Sequence, residues 1–223
     1  MIGYQNFGDA AILLTFGEMY TEKVHLEVRA WAAHLRKANI SYIIDLIPAY
    51  TTLTVLYNPS EISYQEFLGV LKSMEVDPGA IVPERVVKIP VCYDPIFGVD
   101  MQHVVAYTGL SAAQIVRMHT EKSYRVCMLG FTPGFFYLAG MDKRLFCPRK
   151  ESPRLRIESG AVGIAGEQTG VYSVDSPGGW QLIGKTPVPI FDRLSKDVHF
   201  LVNQGDLVQF YSIDLEEFKN YKR

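Results

Sequence analysis

Near Pro83 the pattern of this chain changes, and that change narrows the available folds more than any single motif does. Upstream, short β-rich runs alternate with helical spacing. Residues 11–16 are short and apolar, and residues 20–38 then place Val24, Val28, Trp31 and Leu35 three or four apart, on one face of a helix. Two more β-rich runs, 42–47 and 53–57, precede a second helical pattern over 63–74 with Phe67, Val70, Leu71 and Met74 on one side. This predicts a small α+β domain over residues 1–83. Asp77, Pro78 and Gly79 form a turn signal, and Pro83 closes it before the alternating residues 85–91.

Downstream, one helix is predicted over 111–119, N-capped by Ser111, and the rest is short apolar runs punctuated by Gly and Pro. Candidate strands are 124–129, 162–165, 171–174, 180–183 and 207–211. Such runs predict a mainly β domain, a closed barrel or sandwich, over residues 84–223. With 223 residues, 48% of them hydrophobic, the chain can bury a sizeable core.

The charge balance removes some partners. Twenty-two basic against 24 acidic residues, with no Lys or Arg run, argues against nucleic acid. Residues 1–6 lack the basic-then-apolar order of a signal peptide, and no stretch approaches the roughly 18 apolar residues of a membrane span. A cytoplasmic protein without membrane association is expected. Cys92, Cys127 and Cys147 are odd in number and far apart, and read as reduced thiols rather than a disulfide framework or metal knuckle. No metal site is expected.

Residues 179–186 match the phosphate-binding pattern GxxxxGK[ST] letter for letter. That loop needs a helix starting at its lysine, whose backbone N–H groups hold the phosphates. Here residues 180–183 read as a strand, and Pro187 and Pro189 obstruct a helix begun at Lys185. Lys185 remains a candidate point charge for an anion, or a solvated strand-end lysine.

Residues 129–138 gather Phe131, Phe135, Phe136 and Tyr137 around a Pro-Gly turn, which walls a pocket or caps a barrel end. Arg149, Arg154 and Arg156 stand on a proline-stiffened loop suited to gripping a carboxylate or phosphate; the plainer alternative is a solvated basic loop. Glycines at 160, 163, 166 and 170 exceed what an ordinary strand carries, and mark either close backbone approach to a ligand or tight barrel corners. His119, at the end of the predicted helix, is a candidate general base or a packing residue. No HExxH, nucleophile elbow or second histidine at ligand spacing accompanies it.

Taken together, His119-Thr120, Tyr124, residues 129–131 and 133–138, Pro148-Arg149, Pro153-Arg154, residues 162–166, Gln168-Thr169-Gly170 and residues 176–187 resemble one family: the B subunits of bacterial 5-oxoprolinase, also described as the Kip kinase-inhibitor family and as allophanate hydrolase subunit 1. Residues 7–11 and 89–93 extend the resemblance to nearly the whole chain. It implies an α+β N-terminal domain followed by a cyclophilin-like barrel. It implies partners, the C subunit (biotin-dependent carboxyltransferase-like) and the A subunit of 5-oxoprolinase, with ATP bound by the assembled complex during the opening of 5-oxoproline to glutamate. It implies catalytic roles for His119, Arg149 and Arg154, and substrate contacts from Phe135, Tyr137, Gln168, Thr169, Trp180 and Lys185. Two departures, Phe136 and Glu158 where the family often has proline, bear on pocket shape. The alternative that the same family offers is an inhibitor of a sporulation histidine kinase, a binding function without turnover. A third is a stand-alone binding module for a small acid.

Overall fold

The computed structural model describes residues 2–77, 85–192 and 199–222, and the turn signal at Pro78-Gly79 and Pro83 lies outside them. The chain divides into two compact units, Met1–Pro83 and Glu84–Arg223.

The first unit runs β1 (Gly3–Asn6), β2 (Ala11–Thr15), α1 (Glu22–Ala38), β3 (Ile43–Pro48), β4 (Thr52–Tyr57) and α2 (Tyr64–Ser73). Its strands form an antiparallel sheet in the order β1-β2-β4-β3. Helix α1 starts where the Thr21 hydroxyl accepts from the Val24 N–H and stops at Asn39 in the left-handed conformation. A reciprocal Ser63–Glu66 capping box starts α2. The apolar stripes read from the sequence, Val28, Trp31 and Leu35 on α1 and Phe67 and Leu71 on α2, are buried in one core with Ile12, Leu14, Leu53 and Val55 of the sheet.

The second unit runs β5 (Val86–Cys92), α3 (Met101–Thr108), α4 (Ala112–Thr120), β6 (Ser123–Leu129), β7 (Phe136–Ala139), β8 (Arg154–Ile157), β9 (Ala161–Ala165), β10 (Gln168–Val171), β11 (Ser176–Gly178), β12 (Gln181–Lys185), β13 (Phe191–Asp192), β14 (His199–Phe200), β15 (Leu207–Ile213) and α5 (Leu215–Asn220). Seven strands close a barrel in the order β10-β7-β6-β15-β5-β12-β9, and the fold is mainly β. A parallel pair, β15 on β5, makes the closure. Two-stranded ribbons, β8 with β11 and β13 with β14, stand outside the ring.

Alternation along the barrel strands sorts the side chains. Phe136, Leu138, Val162, Ile164 and Val171 join Tyr124, Val208 and Phe210 in the interior core. Their neighbours Phe135, Ala161, Ala165 and Tyr172 form a separate cluster on the other face with Trp180, Leu182 and Ile157, and Tyr137 packs against it.

The structure differs from the sequence reading in places. The strand expected at 171–174 shares only Val171 with β10 (Gln168–Val171), and residues 172–174 are not strand; β10 runs instead through Gly170, which faces an aromatic ring rather than breaking the ladder. Ser111 does cap α4, but α4 is not the sole helix of this unit. Helix α3 follows Asp100, whose side chain makes no cap bond because its carboxylate is taken by other partners. The three cysteines are free and buried. No helix among the described residues is long and apolar enough to cross a membrane.

Candidate binding cleft on the outer face of the barrel

The outer cluster is built on glycine. On adjacent strands β9 and β10, a Cβ at Gly163 would stand 3.1 Å from the Trp180 Cβ, and one at Gly170 would stand 3.2 Å from the indole ring and 2.7 Å from the Phe136 carbonyl oxygen. The glycine pair therefore makes a flat bed on which Trp180 lies. Phe135 meets it edge-on at 5.5 Å and 84°, and Tyr137 at 6.0 Å and 63°. Tyr172 closes the set, 5.4 Å from Phe135. Such edge-to-face contacts hold each ring at a fixed angle.

Above these rings opens a cleft of about 280 Å³ lined by Phe131, Phe135, Tyr137, Arg149, Pro153, Tyr172, Pro177, Gly178, Gly179 and Trp180. Arg149 is exposed at its mouth and makes no ion pair among the described residues. Burial pushes the pKa of Tyr137 and of Tyr172 up; the Arg149 charge opposes this at Tyr137, and at Tyr172 a hydrogen bond with the Trp180 backbone opposes it first and the Arg149 charge second, without cancelling it. Both phenols stay protonated at neutral pH and can donate. The cleft thus offers a guanidinium with no ion pair among the described residues, hydroxyl donors and flat apolar walls, a combination suited to a small planar ring bearing a carboxylate.

Arg154 points elsewhere. Its Nη2 donates to Asp100 at 2.7 Å, Lys150 Nζ donates to the same oxygen at 3.2 Å, and the other Asp100 oxygen accepts from the Leu182 N–H at 2.8 Å. Burial pushes the Asp100 pKa up, but these bonds and charges outweigh it and hold the group below its ordinary range. Asp100 therefore pins both ends of the 150–154 loop to β12, and Arg149 precedes the pinned segment.

His119 is fully buried and belongs to the barrel interior, stacked on Phe210 at 4.6 Å and 17°. Its Nε2 lies 2.8 Å from the Thr169 hydroxyl and its Nδ1 lies 2.7 Å from the Tyr93 hydroxyl. Thr169 donates its one proton to the Gly163 carbonyl, at 3.1 Å, so it accepts from Nε2–H and Tyr93 donates to Nδ1. The ring is a satisfied neutral tautomer, and burial depresses its pKa to about 3. Gln168 sits at the start of β10 opposite Ala165.

Lys185 lies at the end of β12, bonded to Glu158, with its Nζ 5.7 Å from the Phe97 ring centre. It lines a different hollow, of about 490 Å³, with Ser159, Thr186 and Phe191. The segment that matches the phosphate-loop pattern contains strand β12, with no helix starting at Lys185.

The structure thus brings Phe135, Tyr137, Arg149 and Trp180 together, and places His119 and Thr169 inside the barrel, Arg154 on Asp100, and Lys185 in a second hollow. Sequence reasoning passed over Tyr172 and Asp100. Tyr172 was legible as the next outward position after Gly170, once the strand is allowed to run through that glycine; Asp100 carries no local signal.

The family model described as carboxyltransferase domain, subdomain C and D, matches residues 2–201. The chain belongs to this family. Over 231 residues it is 42% identical to the B subunit of 5-oxoprolinase from Bacillus subtilis (strain 168), covering 98% of this chain and 95% of that one. The corresponding 5-oxoprolinase B subunit of Escherichia coli O157:H7 is 36% identical over 204 residues, 91% of this chain and 92% of its own. The crystal structure of TTHA0988 superposes with a TM-score of 0.80 at 38% identity, over 92% of this chain and 40% of that chain. In that relative the family fold thus occupies less than half of a longer polypeptide.

Proposed function

We propose that this chain is the B subunit of an ATP-dependent 5-oxoprolinase, working with a C subunit and an A subunit to convert 5-oxo-L-proline, ATP and water to L-glutamate, ADP and phosphate. The observation that carries this reading is Arg149, exposed and without an ion pair among the described residues, at the mouth of an aromatic cleft. 5-Oxoproline is a flat five-membered lactam with one carboxylate. The guanidinium fork takes the carboxylate, Trp180 and Phe135 flank the ring, and the Tyr137 or Tyr172 hydroxyl donates to the lactam carbonyl.

The cleft contains no paired nucleophile and base, and in this reading the lactam is activated by ATP in the assembled complex. The strand at residues 181–185 supports assigning the nucleotide to that complex rather than to a phosphate loop here. Arg154 and Lys150 act as positioning residues that hold the Arg149 loop through Asp100, and His119 with Thr169 holds the barrel wall behind the cleft. Identity to 5-oxoprolinase B subunits across nearly the full chain, and the longer relative that carries this fold in one polypeptide with further sequence, support a protein that works with partners.

The test is ATP hydrolysis stimulated by 5-oxoproline, with the chain alone, with the C subunit added, and with all three subunits. We expect turnover only in mixtures, lost on Arg149→Ala while the complex still forms. Silence in every mixture of folded, associating subunits, with tight binding to a histidine-kinase dimerisation helix pair, would replace this reading with the inhibitor.

A further inference from the structure

Phe131 is held where an aromatic residue does not belong. Its φ is +74°, in the left-handed region, where a bulky side chain crowds the backbone. The other non-glycine with positive φ among the described residues is Asn39, which terminates a helix where asparagine is a common occupant. Gly130 and Gly134, with φ of +157° and +78°, stand in the same loop, so glycine is used there wherever the turn alone is at stake. At position 131 a glycine would make the same turn without strain.

Burial does not compensate for the strain. Phe131 is 59% exposed, and its aromatic contact is the edge of Phe135, at 5.5 Å and 80°. The loop is nevertheless held firmly. Gly130 N donates to the Phe135 carbonyl at 3.1 Å, Phe135 N donates to the Thr132 carbonyl at 3.0 Å, and the Ser173 hydroxyl donates to the Pro133 carbonyl at 2.6 Å. Strained residues persist where the surroundings over-determine them, and they cluster at ligand clamps. Phe131 fits that description, since its ring forms part of the cleft lining together with Arg149 and Pro153.

We infer that Phe131 is the specificity-determining rim of the cleft, an aromatic ring held in a strained backbone so that it covers the outer side of a small cyclic carboxylate whose anion sits on Arg149. The ligand class rests on the 5-oxoprolinase reading; the rim itself does not. A rim of this kind selects against larger rings, since it limits the height of whatever lies over Trp180.

The experiment compares the full chain with Phe131→Ala, Phe131→Gly and Phe131→Tyr. Trp180 and Trp31 are both buried, 5% and 6% exposed, so iodide quenching of tryptophan fluorescence starts low, and a rise that depends on residue 131 reports opening above Trp180 while Trp31, in the first unit, stays a constant background. Binding of 5-oxoproline and of its six-membered homologue, 6-oxopiperidine-2-carboxylate, is followed by the same signal, and thermal midpoints are recorded.

We expect iodide access to rise about twofold or more in the Ala and Gly variants and to stay at the wild-type level in the Tyr variant. The preference for the five-membered over the six-membered ring should fall about tenfold in Ala and Gly, the scale of one lost hydrophobic wall. The Gly variant should melt about 2–4 °C above the Ala variant, since both lack the ring and only Ala keeps the strain. Unchanged iodide access in the Ala and Gly variants overturns the rim, and equal melting of the two overturns the strained backbone. If iodide access depends on Phe131 but wild-type protein binds neither ring, the rim stands and the 5-oxoproline reading falls.

Discussion

Arg149 and His119 are both basic side chains on candidate site positions, and their surroundings give them opposite tasks. Arg149 is exposed and makes no ion pair among the described residues, so its removal leaves stability within about 0.5 kcal/mol while stripping the cleft of its charge. Arg149→Met is expected to weaken 5-oxoproline binding about 10–100-fold, the value of a charge-assisted contact to a carboxylate, with an unchanged thermal midpoint. Equilibrium binding by Trp180 fluorescence checks this, and Arg149→Lys should recover part of it. His119 instead couples the fold to pH. An unfolded histidine titrates near 6.5 and the native ring at about 3, so between these values the unfolded chain binds a proton that the native chain refuses. The stability from the neutral ring is complete above pH 6.5 and falls as pH drops below it, by about 1.4 kcal/mol per unit at full slope. Thermal midpoints from pH 7.5 to 4.5 should show this decline in the wild type and a shallower one in His119→Gln. Equal slopes would mean that the ring takes up its proton without leaving the fold.

The β9–β10 hairpin shows how strands prepare a ligand surface by omitting side chains. Gly170→Ala drives a methyl against the Phe136 carbonyl and the indole, and is expected to destabilise by about 2–3 kcal/mol and to lift Trp180 from its bed. Gly69, on α2 with open space around it, is the counterpart: Gly69→Ala should stabilise by about 0.5–1 kcal/mol. Denaturant midpoints of the two variants should move in opposite directions. These glycines also mark how far the sequence could be read. Helices α1 and α2 were legible from their apolar spacing and α4 from its cap at Ser111; the caps at Thr21 and Ser63 emerge only in the structure. The glycine excess between 160 and 170 was visible, and close backbone approach was one of the two explanations open for it, but no local pattern says that the neighbour is Trp180. Arg149 and Arg154 looked equivalent in sequence, five residues apart on one loop. What separates them is Asp100, a contact that only the closed barrel creates. His119 read as either a base or a packing residue for the same reason, since its partners Tyr93, Thr169 and Phe210 come from three other strands or strand ends.

At the scale of the whole molecule, every cleft residue named here lies within Glu84–Arg223, the unit that contains the closed barrel. We expect residues 84–223, expressed alone, to fold and to bind a cleft ligand with the affinity of the full chain. Trp180 is the sole tryptophan of that fragment and reports both. A fragment that folds but does not bind would show that the first unit takes part in recognition. The barrel itself is sealed by β15 lying parallel to β5, so the first and last strands of the ring are neighbours. During synthesis, then, β5 is made well before β15 and keeps an unpaired edge until residues 207–213 follow. A chain cut short before Leu207 cannot complete its ring, and its open strands are ready templates for pairing with other copies. Loss of the β15 segment is therefore expected to lead to aggregates rather than to a slightly shortened barrel.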